Sequence, residues 1–305
     1  MREKRKGFLI NLLLYVLALG TGLIPFAYIN DLFLAEAALT VTATLLIYIV
    51  TCFIPDTSLY DPYWSVAPPV MLLAAMMKYD LWSANAILML ACVFLWAVRL
   101  TVNWAITYKG LCREDWRYSM FREKYGKFVF AIINLFGLQF VPTIVVYAGL
   151  VGAFFVLQSD GFTPAIVIGL AVMLAGVALE LISDTAIHRF LKEDNHSGHS
   201  CNVSVWKYSR HPNYLGEMTV WVGVFLAYVA VRPEIWYYGL GFILIVVLFL
   251  FVSIPMMEKH NEERRTDYLE YKKKTSVLLP MPQKNHWTEG SKQETECGGH
   301  GQEDL

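Results

Sequence analysis

The chain has 305 residues, of which 56% are hydrophobic and only 17% charged, and its formal net charge is −1. A soluble domain of this length carries about a quarter charged residues, so an ordinary water-soluble globule is excluded and a polytopic membrane protein is indicated. Five cysteines (Cys52, Cys92, Cys112, Cys201 and Cys297) lack CxxC spacing and give neither a disulfide framework nor a zinc site.

In chain order, the start M-R-E-K-R-K precedes an apolar run to Tyr28 that is long and has no small-x-small cleavage site. It predicts a retained first span over 8–28 rather than a signal peptide. Further spans are predicted over 33–54, 66–78, 86–104, 137–158, 163–183, 214–231 and 235–255, with an interfacial helix over 128–136. The fold class expected is an all-α membrane helix bundle of seven or eight spans. Residues 1–54 would be N-terminal spans, 55–282 the functional membrane domain, and 283–305 a polar, Gly-rich tail too poor in apolar residues to fold.

Lys and Arg gather at the start (Arg2, Lys4, Arg5, Lys6), in the connection 105–136 and in the connection 184–213, whereas the opposite connections hold only Lys78 and Arg232. The positive-inside rule then puts both termini and the two long connections in the cytoplasm, in the endoplasmic reticulum membrane if the cell is eukaryotic. The sequons at Asn195 and Asn202 should therefore carry no glycan.

Polar residues collect at the ends of these spans. Arg99 and Asn103 lie one turn apart at the end of the fourth; Glu180, Asp184 and His188 follow at four-residue intervals in the sixth. The segment Trp206–Trp221 then places Tyr208, Arg210, His211, Pro212, Asn213, Tyr214 and Glu217 at a helix start. Proline suits the first helical position, and unpaired N–H groups there favour an anion such as a cofactor phosphate. Asn213, Glu217 and Trp221 share one helix face. After the last span, His260, Arg264 and Tyr268 recur at four-residue spacing. Ionisable groups are costly in hydrocarbon, so the set describes a polar chamber at one membrane face, able to hold a phosphorylated cofactor. Asp61 and Tyr63, in the motif D-P-Y-W-S, stand at the membrane boundary, either as a turn or as an acid facing a substrate. The G-x-S-x-G, P-loop and H-E-x-x-H patterns of hydrolases, NTPases and zincins are absent.

The run S-R-H-P-N-Y-L-G-E-x-x-x-W resembles the signature of the membrane steroid 5-alpha-reductase and sterol-reductase superfamily. The elements D-P-Y-W-S, R-L-T-V-N-W-A-I-T-Y-K-G, E-D-W-R-Y and Y-L-E-Y-K-K-K-T-S-V-L-L-P are similar to its DUF1295 subgroup. This resemblance implies NADPH-dependent reduction of an activated C=C bond in a steroid- or lipid-like enone. It implies that Asn213 and Glu217 contact the nicotinamide end, that Asp184 is an acidic cofactor ligand, and that Arg210, His211, Tyr214 and His260 border the cofactor. Asp61 falls where the steroid enzymes carry a catalytic glutamate, Trp96 where they carry a catalytic tyrosine, and Arg264 where they carry a cofactor-binding tyrosine. Expected partners are membrane lipids and a hydrophobic small molecule from the bilayer, with no nucleic acid and no metal. Because methyltransferases share the R-H-P-x-Y core, an S-adenosylmethionine-dependent enzyme is the alternative, and a non-catalytic lipid-binding relative a third.

Overall fold

A computed structural model describes residues 2–54, 56–111, 114–193 and 198–283. Cys112, Cys297, the sequon at Asn195 and the tail beyond 283 lie outside the described residues. Backbone polar groups in hydrocarbon find no water, so a spanning chain satisfies them inside helices. The apolar runs accordingly form α1 (Arg2–Tyr28), α2 (Leu32–Phe53), α3 (Tyr63–Tyr79), α4 (Ala84–Thr107), α5 (Trp116–Lys124), α6 (Lys127–Ile132), α7 (Val141–Leu157), α8 (Ile166–Lys192), α9 (Pro212–Val231), α10 (Phe242–Leu248), α11 (Ile254–Arg264) and α12 (Tyr268–Lys274). Side chains set several starts: Asp31 accepts from Leu34 N, Ser83 from Ala86 N and Asp115 from Arg117 N.

Two stretches of π-helix weld shorter pieces into long rods. Ile133–Phe140 joins α6 to α7, giving one rod Lys127–Leu157, and Phe249–Ser253 joins α10 to α11 within the rod Pro233–Arg264. The fifth span therefore starts at Lys127, and the segment expected to lie flat at the interface is its first part. The π geometry also has a local cause. Asn134 and Gln139, five residues apart, face inward together, and Gln139 Nε2 donates to Asn134 Oδ1 (3.1 Å) and Thr51 Oγ1 (3.0 Å). An i, i+5 pair shares a face only when the helix is widened in this way.

Among the described residues seven helices are long and apolar enough to cross a membrane, and they expose a belt of large hydrophobic side chains such as Leu12, Leu13, Phe94 and Phe251. The chain is an integral, multi-pass membrane protein. The shorter α3 also traverses the bundle. It leaves from the end of α2, and its last turn returns to the α1–α2 connection, where Lys78 donates to the Phe26 carbonyl and the Tyr79 hydroxyl to the Ile29 carbonyl. At about 1.5 Å per residue its length is close to the hydrocarbon thickness. The first two spans pack into the same core as the rest of the bundle. Tyr15 donates to the Leu59 carbonyl (2.8 Å), and Thr44 meets Thr143 at 2.9 Å inside one continuous core.

The tightest helix pair is α8 with α9. Gly169 and Gly176 on α8 face Gly223 and Gly216 on α9. A Cβ on Gly176 would stand 2.7 Å from the Gly216 carbonyl oxygen, and one on Gly169 2.7 Å from that of Gly223. Small residues at such positions let membrane helices touch backbone to backbone. This contact sets Glu180 of α8 beside Glu217 of α9. Substituting Gly176→Val is expected to lower stability by about 2 kcal/mol through overpacking, measured as a fall in melting temperature in detergent; an unchanged value would show that the helices can separate without loss.

Candidate functional site

At one end of the bundle the polar ends of α4, α8 and α9 meet. Arg99 of α4 pairs with Glu180 (2.9 Å) and with Asp184 of α8. Glu217 of α9 is clasped by two indoles: Trp96 Nε1 donates to its Oε2 (3.0 Å) and Trp221 Nε1 to its Oε1 (2.8 Å). The two indoles cross at 75° with centroids 5.4 Å apart. Three carboxylates thus gather around a single guanidinium, with Glu180 and Glu217 almost wholly buried at 2% and 4% exposure. Arg99 Nε, Asn103 Oδ1 and Glu180 Oε2 are buried without a hydrogen-bond partner. Buried polar atoms are nearly always paired. Glu180 also lies within hydrogen-bond reach of the Glu217 carboxyl, which leaves the donor of Arg99 and the acceptor of Asn103, one turn apart on α4, as the pair that fits a ligand that both donates and accepts, as a carboxamide does.

Around this cluster the chain builds a rim. His211 is the N-cap of α9 and Pro212 its first residue, as the sequence predicts. His211 stacks on Tyr214 at 5.3 Å, and Asn213 is half-buried in the first turn beside them. Arg210 and His211 share a partner, His211 Nε2 lying 3.5 Å from Glu258 Oε1. Arg210 meets Glu258 of α11 at 2.7 Å, and its guanidinium also donates to the Lys272 and Thr275 carbonyls at the end of α12. Its backbone N–H donates to the Ser276 carbonyl (2.8 Å). Lys272 approaches Glu258 at 3.0 Å. Arg210 is therefore the pin that fastens the C-terminal helices to the start of α9.

A third group surrounds Asp61. The Tyr118 hydroxyl donates to Asp61 Oδ1, and Arg117 lies next to Tyr118 on α5. Asp61 is half-buried in the connection before α3. Burial pushes its pKa up to about 7, against the opposing pull of Arg117 and the Tyr118 hydrogen bond. The same short helix carries Trp116, whose ring stacks on His260 of α11 at 3.7 Å. Glu114 fixes the helix by accepting from Thr57 N (2.8 Å) and pairing with Arg122, while Asp115 N donates to Ser58 Oγ (2.9 Å). α5 thus ties Asp61 to His260 of α11.

The structure brings together most of the residues singled out in the sequence but gives six of them other work. Trp96 does not face a substrate as an acid; its indole N–H is a donor only and is spent on Glu217. Tyr63 is buried against α2, 3.1 Å from Thr40 Oγ1 and donating to the Thr40 carbonyl, so it locks α3 to α2. Arg210 is committed to Glu258. Tyr208 is an exposed side chain whose carbonyl accepts from Met281 N (3.0 Å), and Arg264 is exposed in the last turn of α11. Tyr268 is buried beside Tyr271 and belongs to the C-terminal pin. Trp116, Arg117, Tyr118 and Glu258 carry roles that no spacing announced; the only signal for the first three was the motif E-D-W-R-Y.

Fold and site together define a helical membrane protein with an ionisable cluster enclosed at one end of its bundle. The family model described as "Protein of unknown function (DUF1295)" matches residues 47–275, and the chain belongs to that family. The chain is also similar to Uncharacterized protein C594.04c of Schizosaccharomyces pombe, 23% identical over 302 residues, covering 88% of this chain and 86% of that protein. No solved structure matches it.

Proposed function

We propose that the protein is a membrane oxidoreductase of the steroid 5-alpha-reductase type, reducing an activated C=C bond of a lipid-like enone with NADPH. The observation that carries this reading is the buried cluster of Arg99, Asn103, Glu180, Asp184 and Glu217 with its unpaired polar atoms, and Asn213 stands one turn from Glu217 on α9. Arg99, Asn103, Asn213 and Glu217 would hold the carboxamide end of the cofactor, and the Trp116–His260 stack would meet its other rings at the rim. NADPH, when bound, supplies hydride to the β-carbon of the enone.

The protein's part is to orient the enone and deliver a proton. With the Tyr118 hydroxyl donating to Asp61 Oδ1, the carboxyl proton is left to Oδ2, directed at the substrate carbonyl oxygen. A carboxyl titrating near 7 still holds that proton at neutral pH. The indole clasp fixes Glu217 so that the cofactor-facing groups do not reorganise during the reaction. The basic connections lie at the same face of the bundle, which agrees with a cytoplasmic site.

The test is NADPH binding to the detergent-purified protein. Asn213→Ala and Glu217→Ala should each weaken it about tenfold or more, the worth of one hydrogen bond involving a charged or buried partner. Unchanged affinity in both would remove the site assignment. S-adenosylmethionine in place of NADPH should leave the melting temperature unmoved, because only a ligand of the folded state raises it.

A further inference from the structure

One ionisable side chain inside the bundle has no part in the site above. Glu36, in the second turn of α2, is wholly buried, and neither of its carboxyl oxygens makes a hydrogen bond. The polar groups nearest its charge are committed elsewhere: Lys78 of α3 donates to the Phe26 carbonyl, and Tyr147 of α7 to the Phe33 carbonyl (2.6 Å). A carboxylate left uncompensated in hydrocarbon neutralises by taking up a proton. Glu36 is therefore an acid with a proton to give, of the kind that marks proton relays in membrane proteins.

From Glu36 a run of hydroxyls leads along α2 toward Asp61. Thr40, one turn on, meets the Tyr63 hydroxyl at 3.1 Å, and that hydroxyl is also within hydrogen-bond reach of Thr44. Thr44 meets Thr143 at 2.9 Å, and Thr143 meets the Tyr60 hydroxyl at 2.7 Å. The Tyr15 hydroxyl stands within electrostatic reach of Tyr60, Tyr63 and Asp61 together. In a helix a serine or threonine hydroxyl can turn back to the carbonyl four residues earlier, as Ser183 and Thr219 do. Thr40, Thr44 and Thr143 instead turn theirs on other side chains, and at each of the three measured contacts either oxygen can be the donor. That reversibility is what a relay needs and a structural clamp does not.

We propose that this hydroxyl run is a proton path through the bundle, which returns to Asp61 the proton it gives to the substrate. The role of Asp61 as donor rests on the reductase reading above; the path from Glu36 does not. Once Asp61 has protonated the reduced substrate it is a carboxylate. Each hydroxyl then accepts a proton on a lone pair from the Glu36 side and passes its own toward Asp61. Asp61 gains one proton, Glu36 loses one, and Glu36 is reprotonated from water at the α1–α2 connection. The sum is one proton drawn from that end of the bundle for each enone reduced, with NADPH the sole reductant. Two steps lack a direct contact: Glu36 to Thr40 across one turn, and Tyr60 to Asp61 beside Tyr15. A single water completes each, since the Glu36 oxygens with Thr40, and the tyrosine hydroxyls with Asp61, offer it the polar partners it requires.

The experiment uses the full-length protein in liposomes with the pH dye pyranine trapped inside, and two readouts. In the first, NADPH, which does not cross the bilayer, is added outside with oct-3-en-2-one, while valinomycin and equal potassium on both sides hold the voltage at zero. Only molecules with the site outward then turn over, and the lumen should become alkaline by one proton for each NADPH consumed. Glu36→Gln, which keeps the shape and neutrality of the acid, should abolish that change with the melting temperature unaltered. Thr143→Val should abolish it as well, and Thr143→Ser, which keeps the hydroxyl, should retain it. The second readout needs no turnover. Under a potassium diffusion potential, inside negative, proton entry should exceed that of protein-free vesicles and should fall to their level in Glu36→Gln and Thr143→Val. NADPH consumption with a lumen of constant pH would overturn the path and leave the reductase reading standing. Proton entry that depends on Glu36 and Thr143, without NADPH consumption, would do the reverse.

Discussion

Replacing Arg99 by methionine should lower stability by about 3–5 kcal/mol, the largest single loss expected in the molecule. Its guanidinium is the partner of both Glu180 and Asp184, and its side chain is only 9% exposed. Removing one member of a buried ion pair leaves the other charge uncompensated, which is more damaging than replacing the whole pair by neutral groups. The triple variant Arg99→Met, Glu180→Gln, Asp184→Asn should accordingly recover most of the loss, and Arg99→Lys should fall between, because an ammonium cannot serve two carboxylates in the plane of a fork. Thermal unfolding in detergent checks all three. If the single variant were as stable as the parent, the cluster would not be an ion-paired network.

The second large effect concerns Asp61. Asp61→Asn should reduce the rate of enone reduction by about 10²- to 10⁴-fold, the usual worth of a positioned general acid, with NADPH affinity retained. The rate of the unmodified protein should decline as pH rises through about 7, where Asp61 loses its proton. Tyr118→Phe removes a hydrogen bond that favours the ionised carboxylate, so the declining limb should move to higher pH. Stability follows the same titration. The folded pKa lies above the unfolded value of about 3.9, so folding retains a proton that the unfolded chain has released. The resulting stabilisation is full below the unfolded value and is lost as pH rises through about 7. Asp61→Asn should flatten that slope, and melting temperatures from pH 4 to 8 would show it. A wild-type profile as flat as that of the variant would place Asp61 in ordinary solvent.

What could be read from the sequence follows from which interactions have a period. Apolar runs of spanning length announced the bundle, and α9 begins at Pro212 because proline loses nothing at a first helical position. The four-residue spacing of Glu180 and Asp184 put both on the face that meets Arg99. The limits of the spans were less legible. α4 continues to Thr107 and α8 to Lys192, since a helix goes on past its apolar stretch when its polar end has partners. Contacts between distant connections left no trace. Arg210 with Glu258, Trp116 with His260 and Tyr118 with Asp61 each join segments with no common periodicity, so arginine and tyrosine near a helix start could be read only as ligands, not as pins and props. Likewise nothing along the chain separates an indole that clasps Glu217 from one that faces lipid.

The glycine contact between α8 and α9 has a consequence for how the site can move. Gly169 and Gly176 recur after seven residues, and so do Gly216 and Gly223. Each helix presents two notches at the same interval, and each notch receives the other helix's main chain. Sliding one helix along the other by a residue or two would drive a notch onto a side chain, and the next register in which glycine again meets glycine lies about 10.5 Å away. The pair behaves as a detent with one seat. Glu180 and Glu217 ride on opposite sides of it, so their separation is fixed by main chain against main chain and is insensitive to how the side chains of the surrounding bundle repack.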